Sequence, residues 1–192
     1  MKTYQVGIIG ATGMVGQRFA TLLENHPWFH VKALAASGRS AGKTYEEAVG
    51  DRWAMSTPMP ESMKNMVIFD ATADVEKIAS MVDFVFCAVN MKKDEIKALE
   101  EAYAKAECPV MSNNSANRGT PDVPMIIPEI NADHAAVIDA QRKRDIRLPN
   151  EPFSLFGRFE VRYQDGKWSH ALKKFAPEDV REMRFPDENY GF

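Results

Sequence analysis

The chain has 192 residues, of which 45% are hydrophobic and 27% are charged. This balance excludes a disordered or fibrous chain, and the length fits one good-sized domain with an appendage. The 24 basic and 27 acidic residues leave a net charge of −3, so no global field favours binding to nucleic acid or to an anionic membrane. Cys87 and Cys108 form neither a close pair nor a metal-ligand cluster, which favours a reducing compartment and argues against structural zinc. The N-terminus shows no signal-peptide pattern, and we expect a cytoplasmic protein.

Short apolar runs alternate with helix-patterned segments from residue 4 to about residue 144. This alternation predicts an α/β fold, a Rossmann-like, doubly wound and mainly parallel sheet covered by helices. The predicted strands are residues 6–9, 31–35, 67–69, 84–89, 110–111 and 125–127. The predicted helices are residues 13–25, 75–81, 92–106 and 131–144, the last with Asn131 as its N-cap. Residues 39–60 are irregular, and we interpret them as a long functional or mobile excursion.

A glycine-rich segment, Gly10-Ala11-Thr12-Gly13-Met14-Val15-Gly16, lies between the first predicted strand and the first predicted helix. Gly10 permits a tight turn, Gly13 lets the backbone approach a pyrophosphate, and Gly16 allows close packing of helix on strand. The N–H groups at the start of the helix can then bind the anion. In this context the motif predicts a dinucleotide-binding site; the alternative is a turn that binds no ligand.

The end of the second predicted strand indicates which dinucleotide is bound. The chain continues there as Ser37-Gly38-Arg39-Ser40 and contains no acidic residue that could hold the ribose 2′-hydroxyl of NAD. An arginine between two hydroxyl groups suits a 2′-phosphate. We therefore predict NADP as the cofactor; the alternative is that Arg39 is an exposed loop residue without a ligand.

The character of the sequence changes after Arg144. A cluster of structure-breaking residues at 148–152 precedes an alternating segment at 159–163 and the turn dipeptide Asp165-Gly166, which together predict a β-hairpin. Tyr163 and Lys167 match the Tyr-x-x-x-Lys pattern of short-chain dehydrogenases. That pattern requires both residues on one helix face, whereas a hairpin places them on either side of a turn, so we reject it.

Several motifs in order carry a family resemblance: residues 10–19, 37–43, 112–118, 121–124 and 127–131. Together they resemble the N-terminal half of aspartate-semialdehyde dehydrogenases of the archaeal and fungal type. Members of that family are homo-oligomers that reduce L-aspartyl 4-phosphate to aspartate 4-semialdehyde with NADPH, in the biosynthesis of lysine, threonine and methionine. The resemblance implies an NADP-binding domain over residues 1–144. The remaining residues, 145–192, are expected to be an unrelated tail with little order.

The resemblance also implies roles for individual residues. Thr12 to Val15 would lie along the pyrophosphate, Ser37, Arg39 and Ser40 on the 2′-phosphate, and Ala88 and Val89 near the nicotinamide ribose. Asn113 and Arg118 would face the phosphate of the acyl phosphate, where a guanidinium can hold the charge of the leaving group. The full cofactor set is Gly10, Thr12, Gly13, Met14, Val15, Gly16, Ser37, Arg39, Ser40, Ala88 and Val89.

The family's chemistry needs a cysteine thiolate that attacks the acyl carbon and a histidine that acts as acid and base. No cysteine follows Cys108, and Cys87 lies in an apolar run where a buried, inert thiol is expected. The four histidines have no obvious nucleophile as neighbour. We therefore predict no catalytic and no metal-binding residue, and we expect this chain alone to bind cofactor without turnover.

Other interpretations stay open at the level of sequence. One is a related acyl-reducing enzyme, of the malonyl-CoA reductase or N-acetyl-glutamyl-phosphate reductase type, which would need the same cysteine. Another is a non-enzymatic module that reuses the fold for nucleotide binding or protein interaction. Residues 148–168 faintly resemble the opening segment of GNAT-type acetyltransferases, but no acetyl-CoA loop follows. A change of family within one chain would indicate a gene fusion or a deletion.

Overall fold

The computed structural model describes residues 2–145, 157–164 and 167–174. Five parallel strands form one sheet: β1 (Tyr4–Ile9), β2 (Phe29–Ala36), β3 (Ile68–Asp70), β4 (Phe84–Cys87) and β5 (Val110–Ser112). Their spatial order is β3-β2-β1-β4-β5, so the direction of winding reverses between β1 and β4. This is the order of a doubly wound Rossmann sheet, and it confirms the predicted fold class.

Helices connect the strands and extend beyond them. They are α1 (Met14–Leu23), α2 (Tyr45–Val49), α3 (Glu61–Lys64), α4 (Val75–Ala79), α5 (Lys93–Lys105), α6 (Pro128–Asn131) and α7 (Ile138–Asp145). Two 3₁₀ segments, Gly50–Arg52 and Ala132–Val137, lie directly after α2 and α6. The structure confirms the predicted helices that became α1, α4 and α5; α1 and α5 are shorter than predicted at both ends, and α4 is shorter at its C-terminal end.

The sheet has an apolar layer on both faces, which explains why the buried parts of its central strands appear in the sequence as short apolar runs. Because side chains alternate along a strand, β1 contributes Val6 and Ile8 to one layer and Ile9 to the other. The first layer also contains residues of α1 and α2, and the second contains residues of α4 and α5. Each fully buried Leu or Ile in these layers contributes roughly 1.5–3 kcal/mol of transfer free energy to folding.

The excursion after β2 is more regular than predicted. Thr44 caps α2, since its hydroxyl accepts the N–H of Glu47 and the Glu47 carboxylate accepts the N–H of Thr44. The phenol of Tyr45, which is fully buried, donates to the carbonyl of Ala11 at 3.0 Å. These contacts hold the excursion against the start of α1.

Two predictions for residues 125–144 are wrong. Residues 125–127 are not a strand, because side chains satisfy their backbone instead of a neighbouring strand: Asn131 accepts from the N–H of Ile127 and donates to the carbonyl of Met125. The segment from residue 131 to residue 144 is not one helix but the end of α6, a 3₁₀ segment and α7. With its amide engaged in this way, Asn131 makes no capping hydrogen bond to the segment that follows.

The chain divides into two compact units, Met1–Asn117 and Arg118–Phe192. The whole parallel sheet lies in the first unit. In the second unit, β6 (Gly157–Gln164) and β7 (Lys167–Lys174) pair antiparallel, with Gln164 opposite Lys167, which confirms the predicted hairpin. Tyr163 and Lys167 therefore lie on different strands and share no helix face. Residues 148–152 and the dipeptide Asp165-Gly166 lie outside the described residues.

Candidate nucleotide-binding site

The site candidates of the first unit follow the carboxyl ends of parallel strands, which meet at one edge of the sheet. Gly10 follows β1, Ser37 follows β2, Ala88 follows β4 and Asn113 follows β5. In an open parallel sheet, ligands bind outside this edge, at the point where the strand order reverses. Here that point lies between β1 and β4, beside Gly10 and Ala88.

Two glycines of the loop after β1 are required by the packing of the protein itself. Gly10 has a φ of +88°, and a Cβ there would lie 2.7 Å from the carbonyl carbon of Ala88. A Cβ at Gly16 would lie 2.2 Å from the carbonyl oxygen of Gly10. Because backbone atoms cannot give way as a flexible side chain can, these positions accept no side chain. They hold the start of α1 close to β1 and to the segment after β4.

Gly13 is different, because its own surroundings do not require glycine. Its φ of −78° is ordinary for any residue, and a Cβ would meet only the carbonyl oxygen of Gly10, at 3.5 Å. Gly13 is exposed and is the N-cap of α1, which has no capping side chain. The amides of the first turn thus lack an intrahelical partner, and free amides at a helix N-terminus are groups that can bind an anion.

A cavity of about 340 Å³ lies next to this loop. Its lining residues are Thr12, Ser37, Arg39, Ser40, Lys43, Ala48 and Arg52. Three of them are cations, three carry hydroxyl groups, and no carboxylate is included. Such a set of donors suits a phosphate, which offers only acceptor oxygens, and a guanidinium can bind it with two parallel hydrogen bonds.

The backbone explains how the cationic residues come together. Ser37 directly follows β2, and the N–H of Ser40 donates to the carbonyl of Ser37 at 2.8 Å, which forms a tight turn with Arg39 inside it. Lys43 is held next to β3, since its carbonyl accepts the N–H of Ile68 at 2.9 Å.

Arg52 reaches the cavity from the 3₁₀ segment after α2, and its guanidinium donates to the carbonyl of Ala48. Lys43, Ala48 and Arg52 were not assigned to a site from the sequence. Lys43 lies in the same motif as Arg39, so the sequence could have assigned it to the phosphate site. Arg52 could not be assigned in this way, because its position at the cavity depends on the fold of the excursion.

The other predicted residues are distributed as follows. Met14 and Val15 are exposed on the first turn of α1. Ala88 and Val89 lie after β4, against Gly10. Asn113 is exposed, and its N–H donates to the carbonyl of Cys87 at 2.9 Å, which fixes the backbone after β5. Arg118 is exposed and belongs to the second unit.

Both cysteines are buried free thiols. Burial raises the pKa of Cys87 to about 12 and that of Cys108 to about 11. A nucleophilic cysteine needs its thiolate near neutral pH, so neither residue suits that role. Among residues 2–145 and the two hairpin strands, no three histidine, cysteine or acidic side chains are grouped so as to hold a metal ion. No helix in the part of the chain that the structure describes has the length and apolarity to cross a membrane.

Comparison with known proteins agrees with this geometry. Residues 5–138 match the family model described as semialdehyde dehydrogenase, NAD binding domain. The chain is 44% identical over 137 residues to an aspartate-semialdehyde dehydrogenase of Aspergillus fumigatus, a match that covers 71% of the chain and 36% of that protein. It is 41% identical over 140 residues to the same enzyme of Archaeoglobus fulgidus, covering 73% of the chain and 38% of that protein.

Among solved structures, the aspartate-semialdehyde dehydrogenase of Candida albicans with NADP superposes with a TM-score of 0.63 at 34% identity. That match covers 74% of the chain and 37% of the Candida chain. The chain thus spans less than two fifths of the length of these relatives. Residues 5–138 include the glycine loop, strands β2 to β5 and all of β1 except Tyr4. The chain belongs to the semialdehyde dehydrogenase family, and residues 5–138 are its NAD-binding domain.

Proposed function

We propose that this chain binds NADP, with the pyrophosphate at the first turn of α1 and the 2′-phosphate in the cationic cavity. The observation that carries the proposal is the lining of that cavity, which combines Arg39, Lys43 and Arg52 with hydroxyl groups and includes no carboxylate. A site for NAD commonly has an acid at this place, which would repel a 2′-phosphate. The Candida albicans relative, whose structure contains NADP, supports the same cofactor.

The 2′-phosphate should be the main source of selectivity, because it is the only group by which the two cofactors differ. A hydrogen bond to a charged group contributes about 1.5–3 kcal/mol, and 1.4 kcal/mol corresponds to a tenfold change in affinity. We assume the contribution of only one charged hydrogen bond to the 2′-phosphate, because the three cations are exposed and solvent screens their charges. The expected preference for NADP over NAD is therefore about tenfold to a hundredfold.

Isothermal titration of the full chain with NADP and with NAD tests this proposal. Arg39→Ala should weaken NADP binding about tenfold and leave NAD binding unchanged. Arg18→Ala is the matched control, since Arg18 is an exposed arginine of α1 that does not line the cavity. If both nucleotides bind equally well, the proposed selectivity for NADP is wrong. If neither binds, the proposal is wrong and a non-enzymatic module becomes the better interpretation.

We further propose that the chain is the cofactor-binding part of an enzyme that interconverts L-aspartyl 4-phosphate and aspartate 4-semialdehyde. The support is its similarity to relatives named as aspartate-semialdehyde dehydrogenases. NADP, when bound, supplies the hydride chemistry. In this proposal Asn113 and Arg118 hold the phosphate of the substrate, and the first unit binds and orients the nicotinamide ribose beside Ala88 and Val89.

The chain alone is expected to bind the cofactor without turning over substrate, because its two thiols are buried with raised pKa values. Free thiols also fit the reducing cytoplasm, which is part of the same proposal. The assay is NADPH formation from aspartate semialdehyde, inorganic phosphate and NADP. Turnover by this chain alone would contradict the assignment of a purely cofactor-binding role.

A further inference from the structure

A buried glutamine joins the two walls of the cationic cavity. Gln17 lies in α1 and is only 1% exposed. Its Nε2 donates to the carbonyl of Thr12 at 3.1 Å and to the carbonyl of Arg52 at 3.0 Å. Its Oε1 accepts the N–H of Ala54 at 2.7 Å. One amide therefore connects the glycine loop with a segment that lies 35 to 37 residues further along the chain.

The backbone partners of Gln17 matter because two of them also line the cavity. Thr12 lines it from the glycine loop, and Arg52 lines it from the 3₁₀ segment after α2. Arg52 is held at both ends, since its backbone carbonyl accepts from Gln17 and its guanidinium donates to the carbonyl of Ala48. An amide that served only to stabilise the fold would not need hydrogen-bond partners that both line this cavity.

We propose that Gln17 is a positioning residue for cofactor selectivity, fixing residues 52–54 against the glycine loop so that the guanidinium of Arg52 is placed to bind the 2′-phosphate of NADP. This inference rests on the proposed NADP function. NAD lacks the group that Arg52 would bind. Release of residues 52–54 from Gln17 therefore affects NADP and leaves NAD largely unaffected.

Gln17→Met is the direct test, because methionine keeps the length and the helix propensity of the side chain but removes both donors and the acceptor. We expect NADP affinity to fall about tenfold and NAD affinity to change less than threefold. Tyr45→Phe is the matched control: it removes another buried hydrogen bond between the excursion and the glycine loop, to the carbonyl of Ala11, without touching a cationic residue. It should leave the ratio of NADP to NAD affinity unchanged.

Ala54→Pro provides a second route that leaves the core unaltered. Ala54 is exposed, and the ψ of 114° at Trp53 is compatible with a following proline. The variant removes the N–H that Gln17 accepts, so NADP affinity should fall several-fold with NAD affinity unchanged. Circular dichroism and thermal melting establish which variants fold. If Gln17→Met does not fold, Ala54→Pro tests the inference in its place.

A double-mutant cycle separates positioning from general destabilisation. In an Arg52→Ala background, Gln17→Met or Ala54→Pro should cost no further NADP affinity, because the group that is positioned is already absent. The inference is overturned if the losses of the single variants multiply, if both cofactors weaken equally, or if the NADP preference survives the loss of the Gln17 tie. A wild-type chain that does not prefer NADP instead refutes the proposed function, so the two failures are distinguishable.

Discussion

Replacing Gly13 with alanine separates the two reasons for which a glycine can occupy the loop after β1. An added Cβ meets only the carbonyl oxygen of Gly10, at the ordinary contact distance of 3.5 Å, and the backbone at Gly13 is unstrained. Alanine there lowers the entropy of the unfolded chain, which stabilises the fold by about 0.4–1 kcal/mol. Alanine is also a poorer N-cap than glycine, which costs a similar amount. We therefore expect the free energy of unfolding to change by less than about 1 kcal/mol.

Binding should respond very differently. If a pyrophosphate approaches the backbone at Gly13, the new methyl group occupies part of its space and moves it away from the amides of the first turn of α1. Each hydrogen bond between an amide and a charged phosphate oxygen contributes about 1.5–3 kcal/mol, so losing one weakens binding about tenfold to a hundredfold. The loss should be the same for NADP and NAD, because both contain the pyrophosphate.

Gly16→Ala is the matched contrast. Its Cβ would lie 2.2 Å from the carbonyl oxygen of Gly10 and 2.7 Å from the Cα of Ala11, so the backbone of α1 or of the loop must move. Overpacking of this kind costs about 3 kcal/mol, which corresponds to roughly 6–12 °C in Tm for a chain of this size. Thermal melting and nucleotide titration of both variants provide the assay. The reasoning fails if Gly13→Ala melts as early as Gly16→Ala, or if it binds NADP as tightly as the wild type.

Three further predictions follow from the charges and the buried groups. Lys43→Ala should weaken NADP binding several-fold but not NAD binding, and added salt should reduce the NADP preference of the wild type; a salt-independent preference would argue against the cationic cavity. The thiols of Cys87 and Cys108 should resist alkylation at pH 8 until the chain unfolds, and fast labelling of the native protein would contradict their burial. Burial raises the pKa of Cys87 from 9.0 to about 12, so the neutral buried thiol contributes fully to stability below pH 9, and this contribution is lost between pH 9 and pH 12. In urea unfolding at several pH values, the free energy of unfolding should therefore fall less steeply over that window for Cys87→Ala than for the wild type.

The sheet and the glycine loop could be predicted because their signals are local. The last four residues of β1 and of β2 are all buried, so these parts of the strands appear as uninterrupted runs without polar side chains, with loop residues after them. The spacing of the glycines follows from the loop itself: Gly10 has a φ of +88°, and a Cβ at Gly16 would clash with the carbonyl oxygen of Gly10. Arg39 was assigned from its position in the loop that follows β2, and it lines the cavity.

The failures have a common physical cause, which is hydrogen bonding from side chains to the backbone. Met125 and Ile127 look like a strand in the sequence, but Asn131 and His134 satisfy their backbone and leave no ladder to form. Arg52 has no local signature, because its place beside the glycine loop depends on a glutamine 35 residues earlier.

The excursion between β2 and β3 was therefore the least predictable part of the first unit, and it supplies all three cations of the cavity. Polar atoms hold it in place: Tyr45 binds the carbonyl of Ala11, and Gln17 binds Thr12, Arg52 and Ala54. Phenylalanine and methionine would bury as much apolar surface at these two positions, so burial alone does not account for the hydroxyl and the amide. Hydrogen bonds are directional, whereas apolar contact tolerates sliding, so polar ties fix a segment at a defined place. A cavity that distinguishes a phosphate from a hydroxyl needs its guanidinium groups at defined positions. Cofactor selectivity therefore explains why a buried hydroxyl and a buried amide occupy these two positions, which stability alone does not explain.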